Sequence, residues 1–348
     1  MKRLKKIIII LLILVFGLWY YVKQPAWVNK SNHRTLVSPQ ALKQHVYALS
    51  VTHSPRDFRH PNNLKKVALY IKEEFAKTNA KVTLQHIPNA LEHYKKLIAR
   101  YSTGNSAINL QTINSYKDHF VNVIAEFGPD TQQRIIIGAH YDAVTGSPGA
   151  DDNATGVAGL IEIAKLLSKT KLNIKVELVA YSLEEPPFYA SNAMGSYAHA
   201  KATKDKGASV KLMLSLEMLG YFSDKVDSQS YPISVMKYVY TDKANFISVV
   251  GKFGQANITR QVKKLVSSNT SIPVFSINAP TSLVGVDFSD HRSYWKYNYP
   301  AVMITNTAFY RNKHYHKHTD THEKLDYKRM SSVVAAVFLA VKKLANTP

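Results

Sequence analysis

From Ser38 onward the apolar positions follow two spacings. In SPQALKQHVYALS and NLKKVALYIKEEFAKTNA they recur every three or four residues, which predicts amphipathic helices, the first with Ser38 as cap and Pro39 in its first turn. β-rich runs then take over. VNVIAEF, RIIIGAHYD, IKVELVAYSLEE, VKLMLSLEML and AVMITNT read as strands. Between and after them GVAGLIEIAKLLSKT, a short GSYAHAKA and the closing MSSVVAAVFLAVKKLAN read as helices. This alternation predicts an α/β fold, a mostly parallel central sheet with helices on both faces. In such folds ligands bind beyond the carboxyl ends of the strands. Residues 221–285, with SDKVDSQSYP and SSNTSIP, lack the regularity and read as an irregular insertion over the site.

The N-terminus follows a different pattern. Lys2, Arg3, Lys5 and Lys6 precede an uncharged run from Ile7 to Val22 that ends in Trp19, Tyr20 and Tyr21. The run is slightly shorter than the ~20 residues that cross a bilayer untilted. No small-x-small cleavage site follows it, and the aromatic cluster resembles an interfacial belt. Residues 1–23 are therefore expected to be a signal anchor, with a cleaved signal peptide as the alternative. The basic flank would stay inside and the rest would lie outside the cytoplasm, periplasmic or extracellular. Residues 24–37 read as a polar linker, and 38–348 as one domain.

Composition narrows the chemistry. With 45% hydrophobic and 20% charged residues the chain can bury a large core. It has no cysteine, so disulfides, thiol catalysis and thiolate metal sites are excluded, and any metal must be held by His, Asp and Glu. The net charge of +21 is dispersed and accompanied by no nucleic-acid motif, so no nucleic-acid partner is expected.

Acids and imidazoles gather at the predicted strand ends. RIIIGA runs into His140-Tyr141-Asp142, and a loop then leads to Asp151-Asp152 before a helix. The next strand ends in Glu184-Glu185, the following one carries Glu217, and a late loop holds His314, His316, His318 and Asp320. Each has a plain structural reading as well: a helix cap for Asp151-Asp152, a solvated edge for the Glu pair, a polar loop for the histidines. Glu217 resists such a reading, because a carboxylate inside the apolar run LMLSL–MLG needs a partner or a metal.

In order, GAHYD, PGADDNATG, SLEEPPF with a later MGS, LEMLGY, SDHRSYW and YHKHTDT resemble the motifs of the co-catalytic di-zinc aminopeptidases. That superfamily includes bacterial leucyl aminopeptidases, glutamate carboxypeptidases and glutaminyl cyclases, and the resemblance covers about residues 38–346. It implies two zinc ions bridged by Asp152, one completed by His140 and Glu217, the other by Glu185 and His316. It also implies Glu184 as the base acting on a metal-bound water and Asp142 as the residue orienting His140. The expected activity is removal of N-terminal residues from peptides. Glutaminyl cyclisation, carboxypeptidase action and a non-catalytic receptor module are the alternatives.

Two departures from the family pattern bear on the site. Glu217 stands where the family more often has Asp. Val286 stands near where better-studied members carry an oxyanion-stabilising Tyr, which leaves Tyr221, Tyr294 or zinc alone for that task.

Overall fold

A computed structural model describes residues 2–26, 28, 36–101 and 113–347. Helix α1 (Lys2–Lys23) is long and apolar enough to cross a membrane, and no residue of it is buried. Helices α2 (Pro39–Tyr47) and α3 (Pro61–Ala76) precede β1 (Lys81–His86), α4 (Ala90–Tyr101) and β2 (Val121–Phe127). Ser38 caps α2 as expected, accepting from the Ala41 amide at 3.3 Å.

The remainder alternates. β3 (Gln133–His140), α5 (Thr155–Leu167), β4 (Lys175–Tyr181), α6 (Gly195–Asp205) and β5 (Ser209–Glu217) come first. β6 (Ile247–Lys252), α7 (Ala256–Ser267), β7 (Val274–Ala279), α8 (His291–Lys296), β8 (Ala301–Thr305) and α9 (Tyr327–Ala345) follow. The eight strands form one sheet in the order β1-β2-β4-β3-β5-β8-β6-β7. Pairs β3–β4, β3–β5, β5–β8 and β6–β7 are parallel, while β1–β2, β2–β4 and β6–β8 are antiparallel.

Side-chain alternation assigns each strand's residues to two cores. Ile135, Ile137 and Ala139 of β3, Leu212, Leu214 and Leu216 of β5, and Val302 and Ile304 of β8 face one layer. There α5 and α9 pack as apolar helices, with Val157, Leu160, Ile161, Val333, Val337 and Val341 fully buried. Ile136, Met213 and Met303 face the other layer, against Tyr294 and Trp295 of α8. Continuous apolar strands, rather than half-polar ones, follow from covering both faces. The helix carrying ATG starts hard against the sheet: a Cβ on Gly156 would lie 2.6 Å from the Leu216 carbonyl, so only glycine lets α5 approach the end of β5.

Residues 247–279, inside the stretch read from sequence as an irregular insertion, form β6, α7 and β7 of the same sheet. Their signal was hidden because β6 and β7 have six residues each and β7 reads VFSINA, with a Ser and an Asn interrupting the apolar run. Asn278 is buried, and its carboxamide lies 3.4 Å from the Thr259 hydroxyl of α7.

Candidate metal centre

The ends of β3, β4 and β5 converge with the loop after β8 on one cluster of acids and imidazoles. His140 closes β3 and Glu217 closes β5, so adjacent parallel strands bring them to the same rim. Glu184-Glu185 follow β4, and Asp152 lies at the entry to α5. His316 approaches from the loop beyond β8. His140 Nε2 is 3.4 Å from Asp152 Oδ1 and 3.5 Å from Glu217 Oε2. His316 Nε2 is 3.3 Å from Asp152 Oδ2 and 3.2 Å from Glu185 Oε2. Two three-donor groups thus share Asp152, which offers one oxygen to each. Donor atoms at about 2.1 Å from a tetrahedral ion stand about 3.4 Å apart, and these four separations match that spacing. Glu184 lies beside the first group, its Oε2 3.9 Å from His140 Nε2.

A second ring of contacts fixes these side chains. Asp142 accepts from the Glu184 and Glu185 amides at 3.1 and 3.0 Å, and its backbone carbonyl lies 3.1 Å from His140 Nδ1. Its carboxylate is 3.6 Å from the same nitrogen. Ser289 donates to Glu217 Oε2 at 2.7 Å. Asp320 accepts from the Asp151 and Asp152 amides, and Asp151 accepts from Gly220, Asn306 and Asn312. Leu183, Met218 and His316, each at or within two residues of a candidate ligand, have positive φ of 61°, 51° and 59°. Non-glycine residues hold that conformation where surrounding contacts impose it, and such sites cluster at functional centres.

The electrostatics favour a cation. Eight carboxyls (Asp142, Asp151, Asp152, Glu184, Glu185, Glu217, Asp290 and Asp320) are buried together, with His140, His316 and the buried Arg56 as the nearby basic groups. Burial pushes Glu184 well above the usual carboxylate range, and pushes Glu185, Asp290 and Asp320 up to about 7. The carboxylates overcome desolvation at His316 and raise it to about 10, while its imidazole and that of His140 help hold Asp152 below its usual value. Without metal, the fold binds more protons at these groups than the unfolded chain does between about pH 4.5 and 10. Stability therefore falls as pH rises through that window. We expect calorimetry of the chelated chain to show a lower Tm at pH 8 than at pH 5, and the increase on adding zinc to be larger at pH 8.

Beside the centre lies a cavity partly open to solvent. Glu217 and Tyr315 border it, and Phe246, Phe275, Val286 and Met303 give it an apolar wall.

Several sequence expectations are resolved by position. Of the loop histidines only His316 reaches the centre; His314 Nδ1 pairs with the Thr319 hydroxyl at 2.9 Å, His318 is exposed, and His322 Nε2 lies 3.0 Å from Glu323. Tyr294 is fully buried within α8, bonded to the Tyr181 hydroxyl and to His199 Nδ1. Tyr221 packs its ring edge-on against His314. Tyr315, which sequence reasoning passed over, stacks on His316 at 3.8 Å, and burial together with Asp152 and Glu185 raises its phenol.

Arg56 was also missed. Its guanidinium donates to the carbonyls of Tyr141, at 2.8 Å, and of Pro148 and Gly149, and so clamps the loop between His140 and Asp152. Nothing in the local sequence SPRDF marks it, because its partners lie 85 to 93 residues away. Arg56→Leu leaves several buried carbonyls without donors and is expected to cost about 3 kcal/mol or more in urea unfolding. Metal affinity in titration calorimetry should weaken by roughly 10–100-fold, and Arg56→Lys should recover little, since one ammonium cannot match the guanidinium's fork.

Comparison with known proteins agrees with this geometry. Peptidase family M28 matches residues 122–341. The uncharacterized protein YfbL of Escherichia coli (strain K12) is 41% identical over 345 residues, which is 96% of this chain and 98% of that protein. Leucine aminopeptidase 1 of Chaetomium globosum is 26% identical over 223 residues, 60% of this chain; the aligned part is 49% of that enzyme, so the chain spans about half of its length. A zinc aminopeptidase from Bacillus subtilis shares the fold with a TM-score of 0.63 at 15% identity, covering 89% of this chain and 96% of that one. The family match spans more than half of the sequence and contains both donor groups: the chain belongs to peptidase family M28.

Proposed function

We propose that the protein is a membrane-anchored, zinc-dependent aminopeptidase that binds two metal ions and removes N-terminal residues from peptides outside the cytoplasm. The observation that carries this reading is the pair of donor groups sharing Asp152. His140, Asp152 and Glu217 would hold one ion, and Asp152, Glu185 and His316 the other. Bound zinc supplies Lewis acidity that polarises a carbonyl and lowers the pKa of water. Glu184, outside both groups yet beside them, takes the proton from the attacking water and returns it to the leaving amine. Its high proton affinity in the buried site suits that exchange, and a neighbouring cation brings it back toward neutrality.

Asp142 holds the Glu184-Glu185 backbone so that one side chain serves the metal and the other the proton. Ser289 and Asp320 fix Glu217 and the Asp152 backbone against drift. The apolar cavity next to Glu217 receives the substrate's first side chain, which favours large apolar residues over Ala. The basic flank and apolar run of α1 anchor the chain with its peptidase domain outside.

A substrate panel tests this. Leucyl- and phenylalanyl-nitroanilides should be cleaved faster than alanyl-nitroanilide, and N-acetyl-leucyl-nitroanilide should resist. Cyclisation of N-terminal Gln peptides without nitroanilide cleavage would instead favour a glutaminyl cyclase, and cleavage of the acetylated substrate would exclude an aminopeptidase.

A further inference from the structure

The last turn of α1 is built into the peptidase domain. Lys263 Nζ donates to the Lys23 and Gln24 carbonyls at 2.9 and 2.8 Å, and the Ser276 hydroxyl donates to the Lys23 carbonyl at 3.1 Å. Gln24 is fully buried and donates to the Ala256 carbonyl at 3.1 Å. Tyr21 packs on Phe253 with ring centroids 5.8 Å apart, and the Arg260 guanidinium lies 5.1 Å from the Tyr20 ring. Lys23 Nζ in turn donates to the Val239 carbonyl at 2.6 Å. The helix therefore leaves the membrane against the β7 edge of the sheet and fixes the depth of whatever touches its end.

What touches it is apolar and exposed. In the segment containing the helical turn Met236–Val239, Ile233, Val235 and Tyr238 are 52%, 58% and 80% exposed, and Phe253 is 49% exposed beside Tyr21. Bulky side chains so open to solvent, grouped around a helix exit, mark an interaction surface. The surrounding charge is mostly basic. No acidic residue occurs between Asp242 and Asp287, whereas Lys243, Lys252, Arg260, Lys263 and Lys264 do.

We propose that residues 232–239 and Phe253 seat in the bilayer interface around the exit of α1, an inference that rests on α1 spanning the membrane. Trp19, Tyr20 and Tyr21 place that exit in the headgroup zone, a layer about 5–7 Å thick on each side of the hydrocarbon. One 2.6 Å hydrogen bond joins the exit to Val239, so the segment shares its depth. Ile233, Val235 and Tyr238 enter the acyl boundary, and the basic residues meet anionic headgroups. The same segment turns Pro232, Met236 and Tyr240 inward to line the cavity beside Glu217. One wall of the cavity is thus supported by lipid, and peptides that collect at the membrane surface meet the centre there.

The absence of native cysteine makes single labels unambiguous. The full chain would be reconstituted into vesicles of phosphatidylcholine and phosphatidylglycerol with a fluorophore on Ile233→Cys, Tyr238→Cys, Leu12→Cys or Thr83→Cys. Thr83 is exposed on β1, at the opposite edge of the sheet. A nitroxide on the lipid chain just below the headgroup should remove most of the fluorescence at 233 and 238 and leave 83 unchanged. Quenching at 12, with 233 and 238 no more quenched than 83, would overturn the interfacial seat and leave the anchor intact. No quenching at 12, either by this nitroxide or by one near the methyl end of the lipid chain, would remove the anchor and the seat together. Neither outcome depends on whether the protein hydrolyses peptides.

Discussion

Glu184→Gln is expected to lower kcat by about 10²–10⁴-fold, the usual contribution of a positioned general base. Glutamine matches glutamate in size and keeps the backbone hydrogen bond from the Glu184 amide to Asp142 Oδ1. It removes only the ability to take and return a proton. Glu184 stands outside both three-donor groups, so zinc content should stay near wild type and KM should change little. Steady-state kinetics on leucyl-nitroanilide with parallel metal analysis separates the two effects. Loss of zinc along with activity would show that Glu184 is a ligand, and retention of most activity would remove it from proton transfer.

Asp152→Asn is expected to have the second largest effect, because both donor groups depend on one side chain. Asp152 Oδ1 faces His140 at 3.4 Å and Oδ2 faces His316 at 3.3 Å. The substitution replaces one oxygen with a donor and removes the anionic charge that offsets repulsion between two dications. A loss of several kcal/mol of metal-dependent stabilisation corresponds to roughly 10³-fold or more in kcat/KM. Titration calorimetry should show both binding events weakened. A variant that lost one event and bound the other as tightly as wild type would mean that the two groups do not share Asp152.

Much of the candidate centre was legible because strand ends are legible. His140, Glu185 and Glu217 each follow or close a strong apolar run, so the sequence itself places them on one rim. Glu217 stood out as a carboxylate that an apolar strand tolerates only with a partner, and Ser289 and His140 are close by. Less visible was everything that depends on distant contacts. Arg56 lies on the coil before α3 and acts on carbonyls that the fold brings to it. Tyr294, a candidate oxyanion donor by proximity to SDH, is committed to Tyr181 and His199 because α8 packs against α6, where its hydroxyl is already paired. β6 and β7 escaped notice because short strands with polar residues facing a helix lose the apolar continuity of β3 to β5. Gln24 was read as the start of a polar linker, yet it is buried, with its side-chain NH2 donating to the Ala256 carbonyl.

The central claim is that this centre works through bound metal. It is tested most directly by hydrolysis of leucyl-nitroanilide by the full chain, measured after complete chelation and again as zinc is returned, with bound zinc quantified in the same samples. The account predicts that hydrolysis disappears on chelation and returns as the two sites fill. A chelated chain with no detectable metal that still cleaves at an undiminished rate would contradict it.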